Sequence, residues 1–180
     1  MDKTPTPSVR DADKSKPYIP LAGLANDGWS KDEEATATCY CGNVQLAFPT
    51  TGPGFQGSFV CNCADCRKIT ASMFSSIFTI KNEYLRHLRG QFNLKTFSQS
   101  KTIASHAIMT NYFCGTCGSL MYRVPDRFPE ISVLRLGTVD DFNLVETKLK
   151  PKMEVFIKDR VSWFTGVMGD GVERFDASPA

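Results

Sequence analysis

Val44, Leu46 and Phe48 alternate with Gln45 and Ala47 along the chain. That period of two predicts a half-buried strand, closed by Pro49. Residues 50–57 hold Gly52, Pro53, Gly54 and Gly57 and read as a loop, after which Phe59 and Val60 lead into a run of cysteines. Residues 74–80 are aromatic and β-branched, and 92–97 set Phe92, Leu94 and Thr96 on one side; both read as strands. A longer strand is expected over 103–113 and shorter ones over 120–124, 131–136 and 154–158. Gly90, Gly118, Pro125, Pro129 and Gly137 punctuate this series. Apolar positions at a period of 3.6 are scarce, so helix is expected only as single turns after Cys63 and over 140–143. Short strands at close spacing, little helix and no internal repeat predict an all-β domain.

The N-terminal stretch breaks the pattern. Pro5, Pro7, Asp11, Asp13, Lys14 and Lys16 interrupt any apolar run, which predicts an irregular polar leader over 1–34 with 18–24 laid against the body. The folded domain is expected over 35–176, and a frayed tail over 177–180. A chain of 180 residues is long enough for one domain with a substantial core. A formal charge of +2 offers no electrostatic footprint for nucleic acid. No run reaches the roughly 18 apolar residues of a membrane helix, and the leader lacks the apolar segment of a secretory signal. The expectation is a soluble cytoplasmic protein without nucleic-acid or membrane partners, whose thiols meet a reducing compartment.

The cysteines change the picture most. There are seven, and they occur only in clusters: Cys39 with Cys41, Cys61 with Cys63 and Cys66, and Cys114 with Cys117. An odd number cannot pair completely, and Cys39-Tyr40-Cys41 is poorly disposed for a disulfide, so metal ligation is the better reading. In Cys114-Gly115-Thr116-Cys117-Gly118 a tight turn can aim both sulfurs at one ion, with Gly118 supplying a positive φ. Cys39-Tyr40-Cys41-Gly42 is a shorter arm; on a regular strand its two sulfurs would share a face. The two arms together supply four thiolates, the donor set of a structural zinc. Cys61, Cys63 and Cys66 supply three and no fourth. Three ligands with an open coordination position is the arrangement of catalytic zinc, and thiolate donors favour a soft incoming ligand such as a thiol. Asp65 or His106 filling the gap would instead make a second structural site. Spacing alone leaves open which cysteines share an ion, and it matches neither ferredoxin pattern of an iron–sulfur cluster.

Around the trio, Arg67 and Lys68 could meet a substrate carboxylate or form a solvated basic pair. His106, on the strand expected before Cys114, could act as acid or base or be structural. His87 reads as surface, and Phe74, Phe78 and Phe113 as core.

The ordered series Cys-x-Cys-Gly (39–42), Cys-x-Cys-x-x-Cys-Arg (61–67) and Phe-Cys-x-x-Cys-Gly (113–118) resembles the glutathione-dependent formaldehyde-activating enzyme family, which includes the centromere protein V domain. The resemblance continues through Lys68, Phe74 and residues 151–163, and covers about 35–176. The chain departs from it at Ala71, where many members carry Gly, and at Asn111, where many carry Arg. The resemblance implies a β-rich fold of small sheets pinned by two zinc ions per chain. Cys39, Cys41, Cys114 and Cys117 would hold the structural ion, and Cys61, Cys63 and Cys66 the catalytic one. It implies carbon–sulfur lyase chemistry on a small thiol or thioether, in the family's case glutathione adding to formaldehyde. Two other readings are a non-enzymatic binding module, since a Rab-exchange chaperone family shares the zinc-pinned fold, and an enzyme acting on a thioether, epoxide or aldehyde intermediate.

Overall fold

The computed structural model describes residues 8–179, so the first seven residues of the expected leader and the last of the expected tail lie outside it. The strands are β1 (Ser30–Lys31), β2 (Glu34–Thr38), β3 (Gln45–Pro49), β4 (Phe55–Cys61), β5 (Ser75–Lys81), β6 (Arg86–Arg89), β7 (Leu94–Gln99), β8 (Met109–Cys114), β9 (Leu120–Pro125), β10 (Ile131–Arg135), β11 (Met153–Val155) and β12 (Glu173–Phe175). Two short helices, α1 (Ala64–Thr70) and α2 (Phe142–Glu146), and a few 3-10 turns complete a β-rich fold. A small sheet runs β1-β2-β3-β6 and a large one β12-β11-β4-β5-β10-β9-β8-β7. Neighbours are antiparallel, except that β11 runs parallel to both β4 and β12.

The two sheets pack face to face. Ala35, Ala37, Leu46 and Phe48 of the small sheet meet Phe78, Ile80, Met121 and Leu134 of the large one. Phe48 and Phe78 lie with ring centroids 4.7 Å apart. Each large side chain buried in this way contributes about 1.5–3 kcal/mol. Alternation along β5 then builds a second, smaller core on the opposite face of the large sheet: Ile77 points away from Phe78 and joins Cys61, Cys66, Val133 and Val155. The cysteine trio therefore belongs to a different layer from Cys39 and Cys114, which lie in the inter-sheet core.

Several expectations are revised. Residues 44–48 are all buried, so that strand is covered on both faces. Its polar face is covered because the N-terminal segment and its neighbours supply partners. Gln45 Nε2 donates to Thr38 Oγ1 at 3.1 Å, and Thr36 and Thr38 donate to Asp140 Oδ2 at 2.6 and 2.7 Å. The segment itself is tied down: Asn143 Nδ2 donates to the carbonyls of Asp13 and Lys16, and the Tyr18 amide donates to Asp141 Oδ1. The strand expected over 103–113 begins only at Met109, because 103–108 turn and His106 takes a φ of 57°. β4 starts inside the expected loop, at Phe55. The strand expected over 154–158 ends at Val155, since Phe156 sits at a φ of 56°. Phe92 lies in a 3-10 turn and is fully exposed.

Candidate metal centres

The four-sulfur cluster is assembled from two turns. Cys39 and Cys41 lie in the link between β2 and β3, past the end of the strand, so a turn and not strand alternation brings their sulfurs together. The Cys39 amide donates to the Val44 carbonyl, the Gly42 amide to the Cys39 carbonyl, and Gly42 has a φ of 81°. The second arm joins β8 to β9: the Gly118 amide donates to the Cys114 carbonyl and Gly118 has a φ of 75°. Asn93 Nδ2 donates to Cys114 Sγ at 3.4 Å, and the Val44 amide to Cys39 Sγ at 3.2 Å. Backbone and amide donors to sulfur stabilise thiolates. The Sγ separations Cys39–Cys41 and Cys41–Cys114 are 3.6 and 3.7 Å. Four thiolates at zinc distance would sit about 3.8 Å apart in a tetrahedron, so the cage has the dimensions such an ion requires. Without a cation, burial pushes the Cys39 thiol up to about 12. Four thiolates gathered in this cage would repel one another, a cost that a bound cation offsets.

The three-sulfur cluster closes over six residues. Cys61 ends β4, Cys63 caps α1, and Cys66 lies in its first turn, its amide donating to Cys63 Sγ at 3.4 Å. α1 is longer than the single turn expected after Cys63. The three Sγ atoms lie within 4.8 Å of one another, and among the described residues no further His, Cys, Asp or Glu belongs to the group. Contact with Cys63 and Cys66, together with burial, pushes the Cys61 thiol up. Cys66 is held down by its hydrogen bonds with Cys61 and Cys63, and the charges of Arg123 and Arg135 act in the same direction. A cation bound by the trio would favour the thiolate form of all three sulfurs and release their protons.

Its corner is locked from behind. Asn62, fully buried between two of the cysteines, donates to Glu154 Oε1 at 2.9 Å and to the Val155 carbonyl at 3.3 Å. Glu154 has no exposed surface and pairs with Arg160 at 3.1 Å. In front, Cys61 and Cys63 open onto a cavity of about 290 Å³ walled by Met109, Arg123 and Phe156 among others.

Asp65 lines that cavity but is bonded to Thr102 Oγ1 and Gln99 Nε2, and it stands outside the trio's group. His106 is exposed on its turn and is absent from the cavity wall. Arg67 points its guanidinium to the Asp159 carbonyl and the Met73 sulfur. Lys68 is exposed at the rim of an adjoining chamber of about 190 Å³. His87 is half-buried, not superficial: Nε2 lies 3.1 Å from the Tyr122 hydroxyl, and burial pushes its pKa down. Phe78 is fully buried, whereas Phe74 is partly exposed and stacks on Phe164 with centroids 4.2 Å apart. Sequence reasoning missed Arg123 and Arg135. The register pairs Arg123 with Val133, and Arg135 with Ile77, which places both on the trio's face of the large sheet. Arg135 is 6% exposed, donates to Ser75 Oγ at 2.7 Å, and burial lowers its pKa to about 10.

Fold and site together define a β-rich protein with two thiolate clusters able to hold metal, one closed by four sulfurs and one left at three. The profile of the glutathione-dependent formaldehyde-activating enzyme family matches residues 34–159, and the chain belongs to that family. No curated protein matches it. Among solved structures, a protein from Rhodobacter sphaeroides is similar at 23% identity with a TM-score of 0.45, over 57% of this chain and 85% of that one. No helix among the described residues is long and apolar enough to cross a membrane.

Proposed function

We propose that this chain is a zinc-dependent carbon–sulfur lyase of the cytoplasm that forms or breaks a C–S bond on a small thiol or thioether, with glutathione the leading candidate. The observation that carries this reading is the trio of Cys61, Cys63 and Cys66, which gathers three sulfurs, lacks a fourth protein ligand among the described residues, and opens onto a cavity. A closed site would suffice for structure; an open one suits a ligand. Zinc held by the trio would supply the positive charge that favours a thiolate over a thiol. The chain's own residues do the rest. Asn62 and Glu154 fix the corner of the site, and Met109 and Phe156 give the cavity apolar wall that limits water. In the synthetic direction the substrate sulfur attacks a carbonyl carbon, a C–S bond forms, and the carbonyl π pair becomes a hydroxyl on taking a proton. The lytic direction reverses each change.

Family membership supports this chemistry in general, and the soft three-sulfur donor set supports a thiol as the incoming group. The test is to incubate purified protein with glutathione and formaldehyde and follow S-hydroxymethylglutathione by NMR, alongside Cys63→Ser. Accelerated formation or breakdown that disappears in the variant supports the reading. Equal rates in native protein, variant and buffer, repeated with other thiol–aldehyde pairs, would sink it.

A further inference from the structure

Arg123 stands where the cavity against the trio meets the adjoining chamber, lining both. It is half-buried, and among the described residues its side chain makes no hydrogen bond or ion pair. Arg89 and Arg160 by contrast are paired, with Asp27 and Glu154, and Arg135 donates one nitrogen to Ser75 while its Nε and Nη2 stay buried without a partner. The charge of Arg123 acts on Cys66 across the site, but its N–H donors meet no acceptor among the described residues, a cost that an incoming anion would offset. Its cross-strand neighbour Asn111 is 5% exposed, lines the same chamber, and has a buried carbonyl oxygen with no partner. Lys68 stands at that chamber's rim. The chamber therefore sets two cations, Arg123 and Lys68, against one carboxylate, Asp65, which is turned to Thr102 and Gln99.

We infer that Arg123 binds the carboxylate of the incoming thiol and makes the site selective for small acidic thiols over neutral ones. The sulfur would face Cys61 and Cys63 while the carboxylate reaches into the adjoining chamber against Arg123 and Lys68. The inference rests on the reading of the trio as an open thiol site, and it adds what the rest of the ligand must carry. Arg135 does not share the role: it is nine-tenths buried and its free nitrogens have no solvent contact.

The test uses the full chain with cobalt in place of zinc, whose absorption changes when a thiol joins the metal. 3-Mercaptopropionate and 2-mercaptoethanol are titrated against native protein, Arg123→Gln and Arg123→Lys, with thermal unfolding checked for each. The expected result is that Arg123→Gln weakens 3-mercaptopropionate by about 10- to 100-fold, the worth of one charge-assisted hydrogen bond, and 2-mercaptoethanol by less than about two-fold. Arg123→Lys should restore part of the loss, because a point charge replaces the fork. If both thiols bind the native protein and neither depends on Arg123, the inference is overturned and the open site stands. If neither thiol perturbs the native spectrum, the open site falls, and the inference with it.

Discussion

Ala71 ends α1 in the left-handed region, with a φ of 51° and its amide shared by the Arg67 and Lys68 carbonyls. A residue with a Cβ is strained there, whereas glycine is not. Ala71→Gly should therefore stabilise the protein by about 1 kcal/mol, seen as a higher urea midpoint at unchanged slope. The buried network behind the trio makes an opposite prediction. Glu154 is fully buried and its charge is met by Arg160. Arg160→Met should cost about 3 kcal/mol by stranding that charge. Adding Glu154→Gln should recover more than half, because a neutral amide can still accept from Asn62. Additive losses in the double-mutant cycle would show that the pair is not coupled. Asn62 bonds to the same carboxylate, so Arg160→Met should also lower metal retention at the trio. None of this network was visible in the sequence. Glu154 is only the first residue of the short strand expected over 154–158, and the parallel pairing of β11 with β4 is what carries it beside Asn62.

At the scale of elements, the cysteine turns were the most legible parts of the chain, because the Cys-x-x-Cys spacing and the trailing glycine write the turn locally. β6 was the least. Arg86, His87, Leu88 and Arg89 carry no apolar face, and Leu88 is 40% exposed. The strand exists because its backbone pairs with β3 and because Arg89 reaches Asp27 and the Gly42 carbonyl. Its end is fixed by Gly90, where a Cβ would lie 2.0 Å from the Asn43 carbonyl oxygen and where φ is 75°. Gly90→Ala should push β6 off the Cys39–Val44 link. The expected result is a destabilisation of roughly 2 kcal/mol or more with loss of metal from the four-sulfur cluster and retention at the trio. Metal analysis showing equal loss from both clusters would count against this coupling. Arg123 and Arg135 were illegible for a related reason: nothing local marks them, and only the register of β9 and β10 brings them beneath a helix that starts in a distant cysteine run.

For the whole molecule, metal held by the two clusters would do different mechanical work. Cys39 and Cys41 belong to the small sheet's connection and Cys114 and Cys117 to a hairpin of the large sheet, so a metal there would staple the two layers. The ring it closes is long: Cys41 and Cys114 are 73 positions apart. The trio closes only the short turn from β4 into α1. Loop-closure entropy rises with the logarithm of length, so cross-linking the long ring removes roughly 2 kcal/mol more freedom from the unfolded chain. Binding and folding are also coupled more tightly where ligands come from separate layers. Cys41 and Cys63 make a matched pair for testing this, because both are partly exposed and a serine opens little cavity at either. Cys41→Ser should lower the urea midpoint substantially in zinc-loaded protein, and chelation of the native chain should reproduce that loss. Cys63→Ser should leave the midpoint nearly unchanged while abolishing the cobalt response to added thiol. Equal destabilisation by the two variants would mean that the trio is also a staple. The second core of Ile77, Val133 and Val155 would then depend on bound metal rather than on its own packing.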